Sequence, residues 1–131
     1  MRALRFALPL LMISGGALAE DCMLPMSPRV PDGRFASEDD MRRARQEMQS
    51  FVGRADDFLK CIDEAQKEDQ KSFEAAGGND PGRKADFKVR QTEYQQRYNA
   101  GVDAQKAAAD KFNEQLHIWR SKAGQANSKQ G

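Results

Sequence analysis

The sequence has very little of what a catalytic site or a large aromatic core requires. Its 131 residues include one histidine, one tryptophan and two tyrosines, and aromatic residues make up 8% of the chain. No residue pair has the pattern of a nucleophile and its general base. We therefore predict that the protein is not an enzyme and that it uses no cofactor.

An excess of charge and long apolar segments are also missing. The chain has 21 basic and 20 acidic residues, so no strong field attracts a polyanion. No glycine-rich loop follows a strand, which leaves nucleotide binding without a basis. The mean hydropathy is −0.82, and no apolar run approaches the roughly 20 residues that span a bilayer. We predict a protein that binds no nucleic acid and is not embedded in a membrane.

The first residues have the layout of a secretory signal peptide. Residues 1–5 contain two arginines, Phe6 to Ile13 form a short apolar run, and residues 14–19 are mostly small and end in an Ala-x-Ala pattern. This layout predicts a signal peptide at 1–19, cleavage after Ala19, and a periplasmic or secreted mature protein.

The next extended region contains regularly spaced prolines. We predict an arm over residues 20–36 in which every third residue from 25 to 31 is proline, the period of a polyproline II helix. Four side chains are its predicted apolar contacts with the helices. They are Met23, Leu24, Met26 and Val30.

A long helix is predicted after the arm, over residues 37–76. Its apolar residues alternate in steps of three and four, the spacing of a helix that packs along a partner helix. Ser37 and Asp40 are the candidates for a capping box at its start. The predicted seam consists of Met41, Ala44, Met48, Phe51, Ala55, Phe58, Ile62 and Ala65.

A second long helix is predicted over residues 81–123, after a turn at 77–80. Gly77 or Gly78 suits the end of the first helix, and Asp80 with Pro81 suits the start of the second. Two long helices with so short a connection must be antiparallel. We predict an all-α, coiled-coil-like hairpin without a sheet, and a flexible tail at 124–131. The second seam is predicted at Tyr98, Val102, Gln105, Ala109, Phe112, Leu116, Trp119 and Ala123.

The two cysteines can be joined if the arm folds back along the first helix. Cys61 lies about 36 Å from the helix start, and the chain between Cys22 and Ser37 can span about 45 Å. Two cysteines in an oxidising compartment pair by default. We predict a Cys22–Cys61 disulfide; a stiff, unattached linker is the alternative.

The beginning of the mature chain resembles a group of small uncharacterised proteobacterial secreted proteins. The resemblance lies in Cys22-x-x-Pro25-x-x-Pro28-x-x-Pro31-x-Gly33, in Ala36-Ser37, and in Met41, Phe51 and Leu59-x-Cys61. It covers residues 22–61. It implies a secreted location and an arm followed by charged helices, and it implies no activity.

Two sets of side chains leave functional alternatives open. Met23, Met26, Met41, Met48 and His117 could in principle bind copper, but methionine is also a common filler between helices. We therefore predict no metal site. Phe112, Leu116 and Trp119 either complete the seam or form an exposed docking surface.

The most consistent interpretation is a periplasmic structural or protein-interaction module without enzymatic activity. The alternative is a holdase-like chaperone or an envelope-stress adaptor. The protein partner is unknown, and both a monomer and a homodimer are compatible with a hairpin that has one apolar stripe per helix.

Overall fold

The protein forms one antiparallel helical hairpin. The computed structural model describes residues 22–128. It contains α1 at Glu38–Ala75 and α2 at Pro81–Ser128, with no strand in this range. The predicted all-α hairpin is confirmed. The predicted signal peptide at 1–19 lies outside the described residues, as do the first two residues of the arm.

Local sequence signals set the helix boundaries. The Ser37 hydroxyl accepts a hydrogen bond from the Asp40 backbone N–H at 3.1 Å, and the Asp40 carboxylate accepts one from the Ser37 N–H at 3.0 Å. At the turn, Gly77 has a φ of 78°. The Asp80 carboxylate then accepts a hydrogen bond from the Arg83 N–H at 2.9 Å and so caps α2. Both predicted caps are present.

The predicted end of the second helix is wrong. α2 continues past Ala123 to Ser128, so residues 124–128 of the predicted tail are helical, and residues 129–131 lie outside the described range. The helix-favouring neighbours of Gly124 outweigh the cost of about 1 kcal/mol that one glycine imposes inside a helix.

The predicted seam of α1 is confirmed along its whole length. All eight predicted residues are buried, and Phe51 and Ile62 are fully inaccessible. This stripe forms two apolar clusters with α2. One contains Phe58, Ile62 and Tyr94 together with Cys22, and the other contains Phe51 and Ala108.

The predicted seam of α2 is displaced by one residue through its middle. Tyr94, Gly101 and Ala108 are the buried positions, whereas Val102 remains 41% exposed. At Gly101 and Ala108 large side chains of α1 meet small residues of α2. A prediction from hydrophobicity follows the bulky residues of α2. It therefore places the seam one residue away from the positions that contact α1.

Gly101 packs tightly against side chains of α1. A Cβ atom built at this position would lie 2.7 Å from Leu59 Cδ2 and 2.8 Å from Phe58 Cε1. We expect Gly101→Ala to destabilise the protein by roughly 1–3 kcal/mol, because overpacking outweighs the gain in helix propensity. Thermal unfolding followed by circular dichroism measures the change.

Gly53→Ala is the matched control. Gly53 also lies inside a helix, but nothing stands within 4 Å of a Cβ built there. This variant should be more stable by roughly 0.5–1 kcal/mol. Equal stabilisation by both substitutions would contradict the close approach at Gly101.

The turn end of the hairpin, called the tip here, is held by an aromatic stack and a polar group. The rings of Phe73 and Phe87 stack with centroids 4.1 Å apart. Asp69 occupies a seam position, where it accepts hydrogen bonds from Arg90 Nε at 3.0 Å and Gln91 Nε2 at 3.2 Å. A paired polar residue in an apolar seam favours one alignment of the helices over shifted ones.

Candidate protein-interaction surface

The hairpin has two long faces between its helices, and the arm lies along only one of them. Cys22 is buried and forms a disulfide with Cys61 of α1, with the two Cα atoms 5.7 Å apart. Arg97 of α2 donates a hydrogen bond from Nη2 to the Cys22 carbonyl. The start of the arm is thus attached to both helices, and this side is called the covered face.

The other end of the arm is also attached to α2. The Gly33 N–H donates a hydrogen bond to Gln115 Oε1 at 2.9 Å. A Cβ atom at this glycine would lie 2.2 Å from the Gln115 carbonyl oxygen, so the backbones are in close contact. Lys122 Nζ donates to the carbonyl oxygens of Arg34 and Ala36, each at 3.2 Å.

The reversal between the arm and α1 has its own ion pair. Arg34 Nη2 lies 2.6 Å from Asp32 Oδ2. Hydrogen bonds from the Arg34 side chain and backbone lower the pKa of Asp32 to about 2. The Asp32 carboxylate therefore stays ionised, and the turn keeps its ion pair, at pH values well below neutral.

The prolines of the arm are closer to the helices than its methionines are. Pro25, Pro28 and Pro31 are half-buried, whereas Met23 is 82% and Met26 is 89% exposed. The prediction that both methionines contact the helices is wrong. The three-residue period puts the prolines together on one side of the arm.

The other two predicted arm contacts differ in their exposure to solvent. Val30 is half-buried, consistent with a contact, while Leu24 is 41% exposed. The proline spacing, rather than residue hydrophobicity, decides which side of the arm faces the helices.

The opposite side of the hairpin, called the uncovered face, presents an apolar stripe. No segment of residues 22–128 lies over it. Its exposed members are Val52 on α1 and Tyr98 and Val102 on α2. Half-buried residues continue the stripe in both directions. They are Leu59, Ala109, Phe112, Leu116 and Trp119.

A polar contact crosses the middle of the uncovered face. Gln105 Nε2 donates to Asp56 Oδ1 at 2.7 Å and to the Val52 carbonyl at 3.4 Å. The stripe from Tyr98 to Trp119 extends about 30 Å along α2 on both sides of this contact. It is the surface that a further helix would cover in a bundle.

The stripe ends in a groove at the open end of the hairpin, where α1 begins. Met41, Phe112, Leu116 and Trp119 form its apolar floor, and Arg42, Arg45, Arg120 and Glu38 surround it. Arg42 is paired with Asp39. Within residues 22–128, Arg45 and Arg120 form no ion pair, so this end carries uncompensated positive charge. Phe112, Leu116 and Trp119 are each half-buried beside α1 and also border this groove, so they take part in both the seam and the exposed apolar surface.

The side chains considered for copper lie in different environments. Met41 and Met48 are buried between the helices, Met23 and Met26 are exposed on the arm, and His117 is exposed on α2. The two arm methionines are one polyproline II turn apart, about 9 Å along the arm. Among the described residues, no three His, Cys, Asp or Glu side chains are grouped in a way that could hold a metal ion.

Burial affects the one tyrosine of the core. The pKa of Tyr94 is raised because its hydroxyl is removed from solvent and because the carboxylate of Asp69 is close. The phenol therefore stays neutral beside the disulfide, where it packs with Phe58 and Ile62.

No protein-family model, curated protein or solved structure matches this chain. Within the described part, neither helix has an apolar stretch long enough to cross a membrane.

Proposed function

We propose that this protein is a non-enzymatic periplasmic module that presents the uncovered face of its hairpin to another protein. The observation that carries the proposal is the apolar stripe of this face, which includes Val52, Tyr98 and Val102. An exposed apolar surface bordered by polar residues is typical of protein-interaction sites. The amino-acid composition, which offers no nucleophile and base pair, supports a role without catalysis.

The construction of the covered face supports this role. The disulfide, Arg97, Gln115 and Lys122 hold the arm across both helices. A surface that is ordered before binding loses little conformational entropy when a partner docks. The arm therefore stabilises a hairpin whose free side is ready for contact.

The disulfide also supports the proposed location. A Cys22–Cys61 bond is compatible with a periplasmic or secreted protein, because such bonds persist in oxidising compartments. The proposed signal peptide at 1–19 would deliver the chain there.

A photo-crosslinking residue at Val102 tests the function. Placed in the full-length protein in the cells that make it, the residue should form an adduct of one discrete mass, because position 102 lies in the middle of the apolar stripe. Val89 is the matched control, since it is 67% exposed on the same helix but is not part of the stripe. Mass spectrometry of the adducts identifies the bound protein.

Three results of this experiment separate the candidate functions. A discrete adduct at 102 and none at 89 is the expected result. Adducts of many masses at 102 would instead favour the holdase-like alternative, in which the stripe binds unfolded clients. No adduct at 102, with the cross-linker intact, would contradict the proposed function.

A further inference from the structure

We propose that the partner of the uncovered face is a second copy of this chain, bound in the antiparallel direction to form a four-helix bundle. This inference rests on the proposed function and names its partner. The apolar stripe has the length and position of a bundle interface, since it runs for about 30 Å beside the contact line of α1 and α2.

Charge along the uncovered face favours self-pairing. The open end has Arg42 and Arg45 on α1 and Arg120 on α2, all at the border of the groove. Farther along the same side of α1 is Asp63, whose carboxylate also contacts Lys67 of its own helix. Arg45 forms no ion pair within residues 22–128, so an antiparallel copy would place it near the Asp63 carboxylate of the other chain.

The parallel arrangement has the opposite electrostatics. A two-fold axis parallel to the helices would place α1 of one copy over α2 of the other with both open ends together. Arg45 would then lie near Arg120 of the second copy, and neither arginine has an ion-pair partner within residues 22–128. Like charges in an interface cost free energy, so the antiparallel dimer is favoured.

The position of the two-fold axis follows from the polar contact at Gln105. This side chain donates hydrogen bonds to Asp56 and to the Val52 carbonyl. Residues 52–56 of α1 therefore lie at the same height along the hairpin as Gln105 of α2. Arg45 and Asp63 lie equally far before and after that level. An axis through it therefore places Arg45 of each copy opposite Asp63 of the other.

The same axis gives a matching contact between the two α2 helices. Tyr98 lies one heptad before Gln105 and Phe112 one heptad after it. The axis therefore places Tyr98 of each copy opposite Phe112 of the other, an aromatic pair on the apolar stripe. The charges of α1 and the aromatic residues of α2 thus indicate one and the same axis.

Charge reversal tests this arrangement in the mature, oxidised protein. Light scattering should give the mass of a dimer for the unaltered chain. Arg45→Glu and Asp63→Arg should each weaken dimerisation at least tenfold, because each creates two like-charge contacts across the interface. The Asp63 carboxylate also pairs with Lys67 within its own helix, so circular dichroism must show unchanged helix content in both variants.

Mixing the two variants provides the decisive measurement. A heterodimer of Arg45→Glu with Asp63→Arg has opposite charges at both contacts, so an equimolar mixture should recover the dimer mass. Glu64→Arg is the control reversal, because Glu64 is exposed on the outer side of α1. It should leave the dimer unchanged.

The failures of the two proposals are distinguishable. A monomeric mass for the unaltered chain at every concentration, or a mixture of variants that stays monomeric, overturns the self-pairing. If the cross-linker at 102 still captures a different protein in that case, the interaction function stands. If it captures nothing, both proposals fail.

Discussion

Removal of the Cys22–Cys61 disulfide should lower the melting temperature by about 15 °C. The bond closes a loop with a sequence separation of 39. In the chain-entropy model such a loop contributes about 4 kcal/mol by restricting the unfolded chain. For a domain of this size, each kcal/mol corresponds to about 4 °C. The measurement is helix circular dichroism during heating of the oxidised protein, the reduced protein and a Cys22→Ser/Cys61→Ser variant.

The disulfide also determines whether the arm stays on the covered face. Cys22 packs in one cluster with Phe58, Ile62 and Tyr94, so release of the arm would expose part of this cluster to solvent. Binding of an apolar dye should increase on reduction of the native chain and should not respond to reductant in the double variant.

Met23→Ser is the control for the loss of a side chain from the same region. Met23 is 82% exposed, so this variant should melt within about 2 °C of the native chain. Peptide mapping of unreduced protein that finds both sulfurs free, or linked between chains, would contradict the attachment of the arm. Equal melting temperatures of the reduced and the oxidised protein would also contradict this attachment.

The sequence predicts α1 far better than α2, and the reason is the size of the contacting residues. Along α1 the buried positions are also the apolar ones, because large side chains such as Phe51 and Ile62 fill the interface. Along α2 the deepest contacts include Gly101 and Ala108, which give almost no hydrophobic signal. Val102, one residue away, gives a strong signal and faces away from α1.

The displaced register of α2 is itself informative about the candidate surface. The heptad residues of α2 that are not buried against α1 lie on the uncovered face, where Tyr98 and Val102 are exposed. The sequence pattern identifies the residues of the stripe, but the prediction places them between α1 and α2. Only the close approach at Gly101 reveals that the hairpin interface lies beside it.

In the arm, too, hydrophobicity fails to predict which side chains face the helices. Its predicted attachment point and its direction along α1 agree with the disulfide, because chain length and cysteine count determine both. Which side chains face the helices depends instead on the three-residue period of the backbone. That period places Pro25 and Pro28 toward the helices and leaves Met23 and Met26 in solvent.

The interface between the helices should depend most strongly on Phe51. This side chain is fully inaccessible and packs with Met48, Ala55 and Ala108. The neighbours Ala55 and Ala108 are too small to fill the space of a missing ring, so we expect Phe51→Ala to cost roughly 3–5 kcal/mol. The melting temperature should then fall by roughly 12–20 °C, measured at one fixed protein concentration so that self-association contributes equally.

Phe35→Ala is the matched control for Phe51→Ala. It removes the same ring from a residue that is 81% exposed and whose ring centroid lies 5.3 Å from the Arg34 guanidinium carbon. Its effect should stay within about 1 kcal/mol. Similar losses in the two variants would mean that Phe51 is not buried between the helices. A large loss at Phe51 alone would show that this ring fills the interface between the helices, where it meets the small residue Ala108.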